Sequence, residues 1–323
     1  ILVVNLSASG KHIGAIIGDI ISSLINILIF LSFRFSVQTE TKVPTKEKLI
    51  TFKDIIGMRR EKQEIQEIIQ MFDNVEQFKQ MGCNVPKGVI MYGPPGNGKT
   101  YLAKAIAGEM KGHFLYASAS EFIQMYVGVG AARIRQLFNS AKELDGRVVI
   151  FIDEIDAIGK RREDNGGGGT SEYNSTINQL LVELDGFETN GKVLIVLATN
   201  LLDRVDPALI RSGRVDRHIK IDNPRVHDRA VLLEHLINKI PAAHDVSSDL
   251  LSRGTSGFSR ADLTTLVNEA KFYAVRDNSL MIYQKHFELA KDRMLLGIEQ
   301  DKNISSRKEL FNTAYHEMGH AFF

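Results

Sequence analysis

The run Gly88-Val89-Ile90-Met91-Tyr92-Gly93-Pro94-Pro95-Gly96-Asn97-Gly98-Lys99-Thr100-Tyr101 decides the fold. Its first five residues read as a short buried strand, and Tyr101 to Met110 continue as a helical run. Between them, Gly93 to Thr100 satisfy the eight-residue pattern of a phosphate-binding loop, in the strand-loop-helix setting that pattern requires. The glycines let backbone N–H groups cradle phosphates and the helix N-terminus adds its dipole. Lys99 reaches the β- and γ-phosphates, and Thr100 is placed to ligate Mg²⁺. The expectation is an α/β nucleotide-binding domain with a parallel sheet flanked by helices.

Working outward, Val148 to Ile152 form a second apolar run that ends in Asp153-Glu154. Two carboxylates at a strand end suit metal-assisted phosphoryl chemistry: Asp153 can bind Mg²⁺, and Glu154 can orient or deprotonate an attacking water. A third run, Val193 to Thr199, ends at Asn200, whose neutral amide suits a water-positioning group as well as a strand-end cap. Arg211 and Arg214 follow in Pro207-Ala208-Leu209-Ile210-Arg211-Ser212-Gly213-Arg214. On spacing alone they read as a solvated basic turn, although an arginine set against a phosphoryl group can stabilise transition-state charge.

Together, the phosphate loop, Ile152-Asp153-Glu154-Ile155-Asp156-Ala157, Ala198-Thr199-Asn200 and Asp206-Pro207-Ala208-Leu209 through Asp216-Arg217 resemble the AAA ATPases. Leu180 to Phe187 and an apolar segment in front narrow the likeness to the FtsH family, membrane-anchored ATP-dependent zinc metalloproteases, from about Phe52 to the end of the chain. The resemblance implies a ring, a homo-hexamer or a hetero-hexamer with paralogues, in which Arg211 and Arg214 act on ATP held by the neighbouring subunit. It makes Asn200 a sensor and puts Asp185 in the segment that signals nucleotide state between subunits. Ile55 and Gly57 would line the adenine side, approached by His235. By the same likeness Tyr126, Val127 and Gly128 form a pore loop gripping a polypeptide substrate. An aromatic ring contacts any unfolded chain with little sequence preference; without the family, Tyr126 reads as half-buried packing.

Helical patterns at about Arg225 to Asn238, Ser259 to Val275 and Tyr283 to Leu296 imply a small all-α lid. The sequence departs from the family at Arg260, where glycine is usual, at Ser212 for proline, at Val215 for phenylalanine, and at Thr170 to Asn174, where an acidic-basic run is usual. These departures bear on hydrolysis rate and subunit coupling more than on ATP binding.

Residues Ile13 to Phe33 carry one formal charge, Asp19, and would extend about 31 Å as a helix, close to the roughly 30 Å hydrocarbon core of a bilayer. A transmembrane helix is expected, with a buried core helix as the alternative. Ala15, Gly18, Asp19, Ser22, Ser23 and Asn26 fall on one stripe suited to packing against neighbouring helices. Arg34, Lys42, Lys46 and Lys48 follow the span against Lys11 before it, which puts the bulk of the protein on the cytoplasmic side. The expected location is a bacterial inner membrane, or else an organellar inner membrane.

Near the end, Ser306-Arg307-Lys308-Glu309 has the form of a capping box that opens a helix carrying His316-Glu317-Met318-Gly319-His320. His316 and His320, four apart, share one helical face and can bind one Zn²⁺, with Glu317 as general base for a metal-bound water. Such a site needs three protein ligands. In the family the third is an acidic residue further downstream, so weak or no zinc binding is expected of this stretch by itself.

The expected organisation is a flank at 1–12, the span at 13–33, a linker at 34–50, the ATPase at 51–222, the lid at 223–298 and the start of a peptidase domain at 299–323. The 323 residues open at Ile1 and stop within the last predicted helix, so a fragment is expected at both ends. With 40 Lys and Arg against 39 Asp and Glu, the net charge of +1 gives no argument for a nucleic-acid partner. Cys83 is the sole cysteine, which rules out an internal disulfide and a cysteine-rich metal site. The leading reading is an ATP-driven unfoldase feeding a zinc endopeptidase at a lipid bilayer. The alternatives are a non-proteolytic AAA remodelling ATPase and an ATP-binding pseudoenzyme subunit.

Overall fold

A computed structural model of the chain describes residues 22–28, 50–83, 85–123, 128–158, 170–186, 191–211, 213–241, 243, 245–297, 311, 314–316 and 318–319. It divides into two compact units, Ile1–Asn223 and Pro224–Phe323.

The first unit is built on five parallel strands: β1 (Gly88–Tyr92), β2 (His113–Ser118), β3 (Val148–Asp153), β4 (Val193–Thr199) and β5 (Val215–Lys220), in the order β2-β3-β4-β1-β5. The three inner strands are the apolar runs of the sequence. They are covered on both faces, so they show no polar alternation. Val149, Phe151, Leu194 and Val196 face one core cluster, and Val148, Ile150, Ile152, Ile195 and Leu197 the other.

Helices supply both layers. On one face, α1 (Arg59–Asp73) buries Ile65, Ile68, Ile69 and Phe72 at helical spacing, beside α3 (Lys99–Glu109), which follows the phosphate loop; the short α2 (Val75–Gln80) lies between them in sequence. On the other, α4 (Val129–Glu143) buries Ile134, Leu137, Phe138 and Ala141, and α5 (Thr170–Gly186) contributes Ile177, Leu180 and Leu184. A parallel sheet wound this way brings the polar loops after β1, β3 and β4 to one edge, where ligands of open α/β sheets bind.

The second unit contains α6 (Val226–Asn238), α7 (Ser248–Gly254), α8 (Arg260–Arg276) and α9 (Gln284–Leu296). Helix α9 packs on α8, and α6 packs on α7 and α8. Ser259 caps α8 by accepting from the Asp262 amide, while the Asp262 carboxylate accepts from the Ser259 amide, a reciprocal capping box. Helix α7 lies outside the three helical patterns read from the sequence.

Among the described residues no helix is long and apolar enough to cross a membrane. Residues 22–28 are helical with exposed side chains; the rest of the expected span at 13–33 lies outside the described residues, as do Ser306 to Glu309 and most of the expected linker.

Candidate nucleotide site

The phosphate loop leaves β1 through Gly93, whose φ of +142° suits glycine and whose added Cβ would sit 2.1 Å from the Ile221 carbonyl oxygen. Gly96 and Gly98 are left-handed, and Gly98 caps the N-terminus of α3. Beside the loop, Asn97 is buried and donates to the Asn223 side-chain oxygen at 2.8 Å.

Lys99, only 8% exposed, donates to the carbonyls of Gly93 at 2.8 Å and Pro94 at 3.0 Å and to Oδ1 of Asn200 at 2.8 Å. Three ammonium protons thus meet three acceptors. Burial pushes the Lys99 pKa down, while the charges of Asp153 and Asp156 oppose that shift. Thr100 Oγ1 donates to Asp153 Oδ2 at 3.1 Å, so hydroxyl and carboxylate from α3 and β3 meet where both can face one hard cation.

Glu154 follows in the left-handed region at φ +53°, with its amide on Asp153 Oδ1 at 2.9 Å and its side chain exposed at the sheet edge. A bulky residue in this conformation carries a backbone cost of order 1–3 kcal/mol, and such cost concentrates at functional sites. Thr199, buried at the end of β4, donates to Asp156 Oδ1 at 2.7 Å and accepts from the Leu201 amide at 3.0 Å. Those two bonds flank Asn200 and fix its turn. Neither Thr199 nor Asn223 stands out in the sequence as a site residue, because their partners Asp156 and Asn97 lie 43 and 126 residues away in the chain. Asp156, three residues after Asp153, was the one local sign.

Of the other expected residues, Tyr101 is exposed in the first turn of α3. Ile55 has its side chain in the core, its amide donates to the Phe52 carbonyl and its carbonyl accepts from the Lys62 ammonium, while Gly57 turns in the left-handed region. Arg211 is exposed. Arg214 is clamped: Nε and Nη2 donate to the two oxygens of Asp185 at 2.7 and 2.8 Å, and Nη1 donates to the Ala208 carbonyl at 2.6 Å. His235 is exposed on α6 in the second unit. Gly128 caps α4 in the left-handed region; Tyr126 and Val127 lie outside the described residues. His316 is helical and exposed, whereas Glu317 and His320 lie outside the described residues. Among the described residues no group of three or more His, Cys, Asp or Glu could hold a metal ion.

The family described as "ATPase family associated with various cellular activities (AAA)" matches residues 89–223, and the "AAA+ lid domain" matches residues 245–289. A protein of Acidobacterium capsulatum named "ATP-dependent zinc metalloprotease FtsH" is 46% identical over 276 residues, 85% of this chain. The chain belongs to the FtsH family of AAA ATPases. FtsH proteins of Neorickettsia risticii and Cupriavidus metallidurans are 47% and 42% identical over 84% and 90% of the chain. The chain spans less than half the length of these curated relatives, 43%, 43% and 44%. The AAA match contains every residue that meets at the strand ends, from Gly93 to Asn223. The FtsH likeness extends well beyond it on both sides in the aligned length.

Proposed function

We propose that this chain is the ATP-hydrolysing part of a membrane-anchored, ATP-dependent zinc metalloprotease. The carrying observation is the convergence of Lys99, Thr100, Asp153 and Asn200 beside a glycine-lined phosphate loop. The naming of relatives as zinc metalloproteases supports the second activity.

ATP phosphates are held by the amides of residues 93–100 and by the Lys99 ammonium, which exchanges its carbonyl acceptors for phosphate oxygens. Thr100 and Asp153 form a donor set of one hydroxyl and one carboxylate that fits Mg²⁺, which when bound offsets charge on the phosphate oxygens. Glu154, displaced from the strand by its left-handed turn, takes the proton of the attacking water. Asn200, whose Oδ1 accepts from Lys99 and whose turn is closed by the Leu201 amide on Thr199 Oγ1, orients that water. Arg211 and Arg214 stabilise transition-state charge on ATP of the next subunit in a hexamer, homomeric or mixed with paralogues. Ile55 and Gly57 belong to the adenine side.

Each ATP cycle moves Tyr126, Val127 and Gly128 against an unfolded or membrane protein substrate. His316, His320 and Glu317 are part of the peptidase centre, completed by a third zinc ligand elsewhere in the whole protein. The segment 13–33 anchors the ring in a bacterial inner membrane, ATPase inward, or in the equivalent organellar membrane.

The test is degradation of an unfolded reporter by the full-length protein with ATP. Loss of degradation in both Glu154→Gln and Glu317→Gln, with ATPase retained in Glu317→Gln, is the expected result. ATP hydrolysis without cleavage by the unmodified protein would leave a remodelling ATPase instead.

A further inference from the structure

Lys87 stands immediately before β1, at the end of that strand opposite the phosphate loop. Its ammonium donates to the carbonyls of Leu184 at 3.2 Å and Asp185 at 3.3 Å, in the last turn of α5. Carbonyls at a helix C-terminus have no partner within the helix, and the helix dipole favours a cation there. The lysine therefore pins the end of α5 to the start of β1, across 97 and 98 residues of chain.

That helix end carries the Asp185 carboxylate, which grips Arg214 through two N–H donors. Of the five guanidinium N–H groups of Arg214, Asp185 takes two and Ala208 takes one, which leaves two to point elsewhere. A bidentate pair fixes the guanidinium plane as well as its position. The direction of the two remaining donors is thus set by where Asp185 sits, and Asp185 sits where Lys87 holds the helix end. The Arg214 hydrogen bonds, and less strongly the charge of Lys87, also hold the Asp185 carboxyl below the usual carboxylate range.

We propose that Lys87 is a positioning residue for Arg214: by capping the C-terminus of α5 it places Asp185, which aims the free guanidinium edge at ATP of the neighbouring subunit. This rests on the reading of Arg214 as a group acting on that ATP. A loosened helix end leaves ATP binding at the subunit's own site intact, because Lys99, Thr100 and Asp153 are held by other contacts. The signature is a fall in kcat at unchanged KM.

The experiment measures steady-state ATP hydrolysis by the full-length protein carrying Lys87→Met, Lys87→Arg, Asp185→Asn, Lys87→Met with Asp185→Asn, and Arg214→Ala. Lys87→Met is expected to lower kcat about 3–10-fold, the size of a lost hydrogen bond of roughly 0.6–1.4 kcal/mol, with KM for ATP unchanged. Lys87→Arg restores most of the rate, and in the Asp185→Asn background Lys87→Met has no further effect. Full kcat in Lys87→Met beside an inactive Arg214→Ala would overturn the positioning role alone. A fall of the same size in both Asp185 backgrounds, with no rescue by arginine, would reduce Lys87 to a general structural contact and also overturn it. Full kcat in Arg214→Ala would overturn the reading of Arg214 itself. If Lys87→Met does not assemble, Lys87→Gln, which keeps an amide NH₂ but no charge, is read against the same criteria.

Discussion

The two units bury polar side chains for different ends. In the second unit Arg229 donates to the Ser252 and Pro224 carbonyls, Thr255 to the Leu251 carbonyl, and the fully buried His286 accepts from the Tyr283 amide through Nδ1. These groups close helix ends and turns. In the first unit Asn97, Lys99 and Thr199 are buried too, and each reaches a side chain far away in sequence, Asn223, Asn200 and Asp156, whereas the side-chain partners of Ser259 and His286 in the second unit, Asp262 and Asp277, stand at the same or a neighbouring helix end. Side chains joined to one another at strand ends make a surface that can change partners when a phosphate arrives. Those spent on backbone hold a shape.

If that contrast is correct, substitutions in the two units separate binding from stability. Lys99→Met should have the largest effect on binding, weakening ATP affinity roughly 10–100-fold through loss of charged hydrogen bonds worth about 1.5–3 kcal/mol, with little change in thermal unfolding. Fluorescent nucleotide titration measures the first and calorimetry the second; a large fall in stability with affinity intact would dissolve the contrast. Arg229→Met should do the reverse, costing about 1–3 kcal/mol of stability by leaving buried carbonyls unpaired, read as faster amide exchange in α6 and α7. Unchanged exchange there would count against it.

A smaller effect concerns pH. Asp156 raises the Lys99 pKa against the lowering effect of burial, so Asp156→Asn removes that support and the ammonium is lost at lower pH. The alkaline limb of the ATPase profile should move towards neutrality, whereas a shift to higher pH would contradict the coupling. Ser259→Ala should cost about 1 kcal/mol in denaturant unfolding, the size of a lost N-cap, and leave nucleotide affinity alone.

Legibility in the sequence followed position in the sheet. The inner strands β1, β3 and β4 are apolar up to their last residue because both faces are covered, and the sequence shows each of them. The edge strands β2 and β5 are not visible there. His113 to Ser118 buries Leu115 and Ala117, and Val215 to Lys220 buries only Val215 and Ile219, so the second passes for part of a basic turn. An edge strand has fewer apolar positions to spend, and pairing with a neighbour supplies the rest.

The site divides in a similar way. Contiguous motifs offer Gly93 to Thr100, Asp153 and Glu154 as candidates, since each is a local chemical pattern. The contacts that orient them, Thr199 to Asp156, Asn97 to Asn223 and Arg214 to Asp185, join segments distant in the chain and exist only in the fold. The arginine turn shows the difference most plainly. Two arginines three apart look alike in sequence, but Arg211 is exposed and Arg214 is held by a carboxylate from the end of α5.

The central claim is that the strand-end cluster hydrolyses ATP with Glu154 as its base. Glu154→Gln in the full-length protein, measured for ATP affinity and turnover together, tests it most directly. The account predicts affinity within a factor of about two and turnover lower by about 10²–10⁴, the usual worth of a general base. Turnover equal to that of the unmodified protein, with ATP bound as tightly, would contradict it.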